Sequence, residues 1–454
     1  MTPPQTLNRG HWLVLAAAFL GWMFDGVEIG LFPLAARPAL QELLRDLGDT
    51  EVARWNGAIV ACFLLGAAGG GILFGWLGDR IGRVRAMVIA VLTYSLFTGA
   101  GAFASQAWHL GLCRFIAALG MGGEWAVAVA LVVECWPDRF RPYLAGAIGA
   151  AANLGTLLIA LVAYVRPVMS GSWRWLMLVG ATPAVLALLI ALLVPESERW
   201  KASAKTATQT PLAEIFGPRL WKRTLLAIVF SAIPLIGTWA AISGWIPLWV
   251  EQMRQAELVQ ERLPQLDLGH MEKGKLRDAL SAAGRQLPAD QQHAIRRDAA
   301  TAKAGIQIVM AVGAIIGCFV APIVGGAWGR RPTYFMLCLL SLASAAYLFG
   351  RLDSLSLQFV LLTGFVGAAT AAFYGWLPLY LPELFPTRVR ATGQGLGFNS
   401  GRILAAASNL LMGDLVSVFG GDYARGGLTI VMIYVLGMVF IWLAPETKGK
   451  PLPD

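Results

Sequence analysis

Charged residues are scarce in this sequence, and their scarcity is the first guide to the kind of protein it encodes. Only 14% of the 454 residues are Asp, Glu, Lys or Arg, whereas soluble domains average roughly 25%. Hydrophobic residues make up 57%, and the mean hydropathy is +0.62. Because charged side chains are costly in hydrocarbon, this deficit excludes an ordinary soluble protein and favours one embedded in a membrane.

Cysteine and histidine are also rare, with five and four residues. The cysteines lie singly inside or beside apolar stretches, without the spacing of a metal site, so we expect small core residues and no disulfide. They are Cys62, Cys113, Cys135, Cys318 and Cys338. The sequence also shows no nucleophile and base set and no phosphate-binding loop. We therefore expect neither an enzyme nor a bound cofactor or metal.

The net charge of +9 raises the question of nucleic-acid binding. The basic residues lie in loops between apolar runs rather than on one polar face, so we interpret the charge as membrane topology. The 51 glycines allow close approach of helices in lipid. The 17 tryptophans suit a chain that crosses many membrane boundaries.

Twelve stretches are long and apolar enough to cross a bilayer as helices, which takes roughly 20 residues. They are approximately residues 11–35, 57–78, 84–104, 108–134, 142–166, 174–194, 223–250, 303–325, 332–350, 356–383, 389–414 and 425–444. The first is too long for a signal-peptide core and has no evident cleavage site, so we expect a retained helix. The predicted fold class is an all-α integral membrane protein of twelve spans.

The distribution of Lys and Arg predicts the orientation. If both termini are cytoplasmic, the inner segments hold most of the basic residues and the short outer loops hold few, as the positive-inside rule requires. We therefore expect a multi-pass protein of the cytoplasmic (inner) membrane with both termini inside.

The two halves of the chain repeat each other. The pattern ExxPxRxRxxxxG begins at Glu134 and again at Glu383, 249 positions later, and GxxxGR at 78–83 recurs at 325–330. PES at 195–197 is matched by PET at 445–447. A duplicated six-helix unit is typical of transporters that bind their substrate near mid-membrane, between the halves.

This repeat predicts the domain organisation. We expect an N-terminal six-helix bundle at 1–198, a cytoplasmic linker at 199–222 and a C-terminal six-helix bundle at 223–454. Residues 251–302 interrupt the second bundle with a polar helical pattern of nearly balanced charge. They are interpreted as a small helical cap on the outer side or, more simply, as a solvated insertion without function.

Several motifs resemble known signatures. GWLGDRIGRVR at 75–85 resembles the loop signature of the major facilitator superfamily. PESERW, YLPELFPTRVRATGQG and PETKG resemble its sugar-porter and metabolite–proton symporter branches. The resemblance covers nearly the whole chain except 251–302, and implies two pseudo-symmetric six-helix bundles and secondary transport.

The same resemblance implies a set of gating residues at the inner membrane face. They are Asp79, Arg80, Arg83, Glu134, Arg139, Arg141, Glu383, Arg388 and Arg390. We expect salt bridges of Glu134 with Arg139 or Arg141, and of Glu383 with Arg388 or Arg390. Gly326 stands where Asp79 would align, so the two copies should be unequal. For the loop arginines, positive-inside anchoring is the simpler alternative.

Ionisable residues inside the spans are candidates for the transport path, because they persist there at a cost. Asp25 and Glu28 lie on one face of the first helix and resemble the DGxD signature of aromatic-acid/proton symporters, with Glu28 in place of the second aspartate. We expect either to carry the proton, with purely structural hydrogen bonding as the alternative. Arg114 resembles the helix 4 arginine of proton-coupled members. Glu124 lies ten residues further on, about 15 Å along the same helix, so its partner must come from elsewhere.

Arg402 resembles the GRxGA arginine of organic-acid symporters, and a buried guanidinium suits a substrate carboxylate. Pairing of Arg402 with Asp25 or Glu28 is the alternative. The repeat places Asn153 opposite Arg402, since 402 minus 249 is 153. Weaker candidates for the cavity wall are Asn399, Trp239 and Tyr374.

The leading prediction is a monomeric, proton-driven symporter that imports a small organic acid, perhaps an aromatic one, with no nucleic-acid partner. A sugar or polyol symporter is the first alternative, although the seventh helix lacks the paired glutamines expected there. Efflux by proton antiport and a non-transporting membrane sensor are the others.

Overall fold

The computed structural model describes residues 7–44, 49–165, 173–204, 211–243, 245–263, 286–410, 418–419 and 423–453. Within these ranges the chain is almost entirely helical and contains no strand. Each of the twelve predicted stretches coincides with a helix. A lipid environment leaves few other solutions, because every backbone polar group of a spanning segment must be satisfied internally. The predicted all-α fold is confirmed.

We number the spans α1 to α12. The first half contains α1 (Arg9–Leu43), α2 (Asp49–Ile81), α3 (Arg83–Gly101), α4 (Ala107–Cys135), α5 (Arg141–Val165) and α6 (Arg174–Val179 and Pro183–Leu193). The second half contains α7 (Trp221–Pro234, continued by a π-helical turn at Leu235–Ser243 and by Ile246–Arg262), α8 (Ala289–Trp328), α9 (Arg330–Arg351), α10 (Leu357–Ala371 and Phe373–Leu384), α11 (Arg390–Leu410) and α12 (Tyr423–Val431 and Ile433–Phe440).

Eleven of these helices are long and apolar enough to cross a membrane by length and composition. The remaining one is α11, whose sequence is interrupted by polar residues such as Gln394, Asn399 and Arg402. These three side chains are buried. The polarity of α11 therefore belongs to the interior of the protein, where polar residues of a transporter are expected, and not to its lipid-facing surface.

The most enclosed span is α4, which packs against α1, α2, α3 and α11. Small residues allow the backbones to approach closely. A Cβ added at Gly26 of α1 would lie 2.0 Å from the carbonyl oxygen of Ala152 in α5, and one added at Gly155 would lie 1.8 Å from that of Met23. This contact fixes the part of α1 that carries Asp25.

The two ends of the chain lie at one end of the bundle, which we call the terminal face. Trp136, just after α4, donates to the carbonyl oxygen of His11 near the start of α1. Arg141, at the start of α5, donates to the carbonyl oxygen of Lys450. The linker region forms two short helices, Glu198–Ala204 and Pro211–Ile215.

The insertion predicted at 251–302 continues the neighbouring spans where the structure describes it. The helix α7 extends to Arg262 and α8 begins at Ala289. Arg254 pairs with Asp298 at 3.0 Å, and Lys303 pairs with Glu251 at 2.9 Å, so the two extensions lie side by side. Residues 264–285 of the predicted cap lie outside the described residues, and the domain boundaries stay predictions.

Candidate functional site

Arg83, the first residue of α3, organises the terminal face of the first half. Its fully buried guanidinium donates to Asp79 at 2.6 Å, to Glu134 at 2.9 Å and to the carbonyl oxygen of Gly78 at 2.7 Å. It also donates to the carbonyl oxygen of Thr387 in the second half, at 2.7 Å. A planar fork with five N–H donors is suited to holding several acceptors at once.

Arg330, the first residue of α9, repeats this arrangement in the second half. Its guanidinium donates to Glu383 at 2.7 Å and to the carbonyl oxygen of Gly325 at 2.7 Å. Thr447 donates to the same carboxylate at 2.6 Å. The sequence analysis did not name Arg330, although GxxxGR at the repeat offset carries the necessary signal.

A carboxylate also caps each of these two helices. The Glu196 side chain accepts from the backbone N–H groups of Arg83 and Val84, both at 3.0 Å. Glu446 accepts from those of Arg330 at 3.0 Å and Arg331 at 3.1 Å. Free N–H groups and the helix dipole favour a negative charge at a helix N-terminus. These residues belong to the PES and PET motifs, whose matching positions could have indicated a shared role.

The ion pairs of the ExxPxRxR motifs cross between the halves, and this corrects the predicted pairing. Arg390 of the second half pairs with Glu134 at 3.0 Å, and Arg141 of the first half lies 3.4 Å from Glu383. Each arginine thus reaches the glutamate of the other repeat. A prediction from one copy of the motif fails because the start of α11 lies beside the first half, and the start of α5 beside the second.

Asp79 forms a further connection between the halves. Its carboxylate accepts from the backbone N–H groups of Ala391 at 3.2 Å and Thr392 at 2.7 Å, and from the Thr392 hydroxyl at 2.6 Å. Asp79 therefore caps α11 from across the interface. Gly326, at the repeat position, offers no such side chain, and a Cβ built on it would lie 2.8 Å from the Cγ of Pro142. We call these residues the terminal-face cluster: Asp79, Arg83, Glu134, Arg141, Arg330, Glu383, Arg390 and Thr392.

Three other predicted gating residues lie outside this cluster. Arg80 is exposed, with its guanidinium 5.2 Å from the centre of the Trp76 ring, and the exposed Arg139 lies 4.8 Å from the Phe140 ring. Arg388 pairs with Glu214 of the linker at 2.5 Å. Their roles in gating stay predictions.

The segment after α12 closes over the cluster. Arg390 donates to the carbonyl oxygen of Pro453 at 2.7 Å, and Arg141 lies 3.5 Å from that of Lys450. Leu452 between them is 95% buried, since only 5% of its surface is exposed. Both arginines that cross between the halves therefore also hold this segment.

Within the membrane, Glu28 is held by two neighbours. It forms an ion pair with Arg114 of α4 and accepts from the Thr98 hydroxyl of α3 at 2.7 Å. The Arg114 guanidinium lies between the rings of Phe32 and Phe63, at 4.9 and 4.6 Å from their centres. Desolvated cations over aromatic faces are attracted by the ring quadrupole. The structure brings together the predicted residues Glu28 and Arg114.

Asp25 and Glu124 are buried differently. Both are completely inaccessible, and none of their four carboxyl oxygens has a hydrogen-bond partner in the described protein. Glu124 reaches α1 at Gly21, where an added Cβ would lie 2.2 Å from its Oε1 atom. Asp25 interacts electrostatically with Glu124, Arg402 and Glu28. The partner of Glu124 predicted from elsewhere is thus the Asp25 region of α1.

Arg402 lies between the halves, beside a small cavity. The cavity is lined by Ile29, Phe63, Leu64, Met121, Leu235, Arg402 and Ala405, which come from α1, α2, α4, α7 and α11. Arg402 is the one charged residue in this set. It lies 5.4 Å over the Phe398 ring, and its Nη1 atom has no partner in the described protein. A buried cation of this kind can bind an anion that enters the cavity.

The weaker candidates lie around this centre. Asn399 donates to the carbonyl oxygens of Gly122 and Gly395, both at 3.0 Å, and joins α11 to α4. Asn153 lies 3.7 Å from the Sγ atom of Cys318 and joins α5 to α8. The Tyr374 ring packs edge-on against Phe398, 6.4 Å away. The Trp239 side chain lies outside the described residues. Their part in the transport path stays a prediction.

Comparisons with known proteins agree with this architecture. The family model "Major Facilitator Superfamily" matches residues 12–260, and "Sugar (and other) transporter" matches residues 289–448. The chain is 28% identical to the probable 4-methylmuconolactone transporter of Cupriavidus pinatubonensis, over 95% of this chain and 90% of that protein. It is 25% identical to the cis,cis-muconate transport protein of Acinetobacter baylyi, over 96% of this chain and 94% of that protein.

A solved structure of the proton:xylose symporter XylE shares the fold, with a TM-score of 0.66, 20% identity and 98% coverage of both chains. The first family model alone covers more than half of the 454 residues. The predictions of a transporter and not an enzyme, and of two pseudo-symmetric bundles, are confirmed. The chain belongs to the major facilitator superfamily of membrane transporters.

Proposed function

We propose that this protein is a proton-coupled symporter that imports a small organic acid across the cytoplasmic membrane, with its terminal face toward the cytoplasm. The observation that carries the proposal is the buried, unpartnered carboxyl of Asp25 near Arg402, whose guanidinium lines the cavity between the halves. Aromatic carboxylates are the first substrate class to test.

The coupling follows from competition for one cation. Without substrate, the positive charge of Arg402 offsets the negative charge of Asp25 in a medium where an isolated ion is costly. A substrate carboxylate that binds Arg402 neutralises that charge and leaves Asp25 uncompensated. Asp25 then favours its protonated form. Binding of the anion and binding of a proton therefore support each other, which is the requirement for symport.

The terminal-face cluster supplies a gate for this scheme. Its buried ion pairs and the Asp79 cap join the two halves at one end, so the path to Asp25 and Arg402 is closed there. Breaking these bonds on one side while the other side closes gives alternating access by rocking of the two bundles.

The relatives support an acidic substrate, since their names specify muconate and 4-methylmuconolactone. A sugar or polyol symporter is the second candidate, favoured by the family match over 289–448. The cavity speaks against it, because its lining is apolar except for Arg402 and so lacks the several polar groups that a polyhydroxylated substrate needs.

The test is uptake into proteoliposomes with an imposed pH gradient, using radiolabelled cis,cis-muconate, 4-hydroxybenzoate and nicotinate as acids and D-xylose as the sugar. We expect accumulation of at least one acid that collapses with a protonophore. Accumulation of xylose alone would favour the sugar symporter, and no gradient-driven uptake of any probe would contradict proton symport.

Two variants test the residues. Asp25→Asn keeps the size of the side chain but cannot take up a proton, so it should abolish accumulation and leave counterflow of the acid intact. Arg402→Lys keeps the charge but loses the planar fork, and should weaken acid binding. The exposed Glu198 offers a matched control, Glu198→Gln, with unchanged uptake expected.

A further inference from the structure

Glu124 has no function in the scheme above, yet its surroundings are unusual. It lies on α4, fully buried, and both carboxyl oxygens lack a hydrogen-bond partner in the described protein. Its carboxyl lies against Gly21 of α1, one helical turn before Asp25. A buried polar group without a partner costs free energy, so a retained one requires an explanation.

The neighbourhood of Glu124 contains the other unpartnered carboxyl. Asp25 and Glu124 interact electrostatically, and Asp25 also interacts with Arg402 of α11 and Glu28 of its own helix. From α3, the buried Tyr94 hydroxyl faces Asp25, Glu124 and Glu28 and has no hydrogen-bond partner in the described part of the chain. Two carboxylates and one nearby arginine leave a single uncompensated negative charge.

Glu28 is excluded from this group by its own bonds. Arg114 and Thr98 both bind its Oε1 atom, so its negative charge is already balanced. The cluster on α1 thus separates into two pairs. Glu28 and Arg114 form an ion pair, whereas Asp25 and Glu124 form a pair of like groups that cannot both ionise cheaply at close range.

We propose that Asp25 and Glu124 hold one proton between them, and that Glu124 is the second proton-carrying residue of the transport cycle. The inference rests on the proposed function. The pair takes up its proton when one carboxylate oxygen forms an O–H bond, and releases it when that bond breaks; no other bond changes. Glu28 and Arg114 position α1 against α4 and carry no proton.

The test compares three variants in the same proteoliposomes. A gradient of about one pH unit supports about tenfold accumulation for one proton per substrate. Glu124→Gln should lose this accumulation and retain counterflow, as Asp25→Asn does. Glu124→Asp keeps the carboxyl and should restore part of the accumulation. Glu28→Gln leaves the buried Arg114 charge unpaired and should reduce folded protein or both transport modes together.

The outcomes separate the two proposals. If the unmodified protein shows no gradient-driven uptake, the proposed function fails. If it accumulates acid and a folded Glu124→Gln accumulates equally well, the proton pair alone is overturned. Should Glu124→Gln not fold, infrared spectroscopy of the intact protein decides. A buried carboxylic acid band that disappears in Asp25→Asn or responds to acid substrate supports the pair, and the absence of any such band overturns it.

Discussion

The two copies of the terminal-face arrangement are alike within each half and unlike at the interface. In each half, an arginine at a helix start binds the motif glutamate, while a second glutamate caps the same helix. At the interface, Asp79 caps α11, whereas Gly326 stands against Pro142. The repeat thus preserves the interactions that build each bundle and varies the one that joins them.

The chemistry of α5 and α11 explains the difference. Ala391 donates its backbone N–H to Asp79. The equivalent position in α5 is Pro142, since 391 minus 249 is 142, and proline has no N–H to donate. An aspartate at position 326 would therefore find one donor fewer. Loss of the acid in one loop is accompanied by loss of its donor in the facing helix, so this side of the interface lacks both parts of the latch.

The largest expected effect is on the buried arginines. Arg83→Met leaves Asp79 and Glu134 with an unbalanced buried charge, and breaking a buried pair in this way typically costs about 3–5 kcal/mol of unfolding free energy. Arg330→Met should cost less, because only Glu383 loses a partner and Arg141 remains near it. Thermal unfolding in detergent measures both. Equal losses would contradict the inequality of the two copies.

The second effect concerns the Asp79 cap. Asp79→Asn weakens charged hydrogen bonds worth about 1.5–3 kcal/mol each, so the closed state should lose roughly 10- to 100-fold in population. Electron spin resonance distances between labels at Arg80→Cys and Trp328→Cys, in a chain lacking the exposed Cys62, would show this as a longer separation. An unchanged distance distribution would mean that Asp79 does not hold the halves together.

The third effect sharpens the comparison by rebuilding the missing latch. Gly326→Asp alone should not stabilise the closed state, because its Cβ meets Pro142 and finds no N–H there. The double variant Gly326→Asp with Pro142→Ala supplies acid and donor together. The same label pair should then report a more populated closed state than either single variant gives. Additive single effects would argue that Pro142 is irrelevant to the asymmetry.

The smallest effect is the pH dependence of the α9 cap. Partial burial opposes ionisation of Glu446, but the backbone N–H groups of Arg330, Arg331, Lys448 and Thr447 outweigh it and lower its pKa. A lowered pKa in the folded state gives stability that is present above the ordinary value of 4.5 and is lost as the pH falls through the folded value. Glu446→Gln should therefore lower the melting temperature slightly at pH 7, with a difference that shrinks in acid.

Much of the fold could be predicted from the sequence, because a bilayer admits few alternatives to long apolar helices. The extension of α7 to Arg262 could not, since a polar amphipathic segment gives the same pattern as a separate cap. The crossed ion pairs of Glu134 and Glu383 also escaped prediction. They depend on which helix starts lie side by side, and a repeat within one chain does not contain that information.

The candidate site was predicted in its members more than in its connections. Asp25, Glu28, Arg114, Glu124 and Arg402 stand out because ionisable residues are rare in spans. Their division into an ion pair and a pair of carboxyls depends on the close approach of α4 to α1 at Gly21. A glycine four residues before Asp25 marks a face where another helix can approach, but it does not specify which side chain arrives.

The contacts of the last residues have a practical consequence for handling this protein. Arg390 and Arg141 bind the carbonyl oxygens of Pro453 and Lys450, and Leu452 is buried between them. Any affinity tag or fluorescent fusion attached after residue 453 is therefore anchored directly on the arginines that cross between the bundles. Pulling on such a tag would act on the conformational equilibrium, so an attachment at the start of α1 is the safer position for measurements of transport.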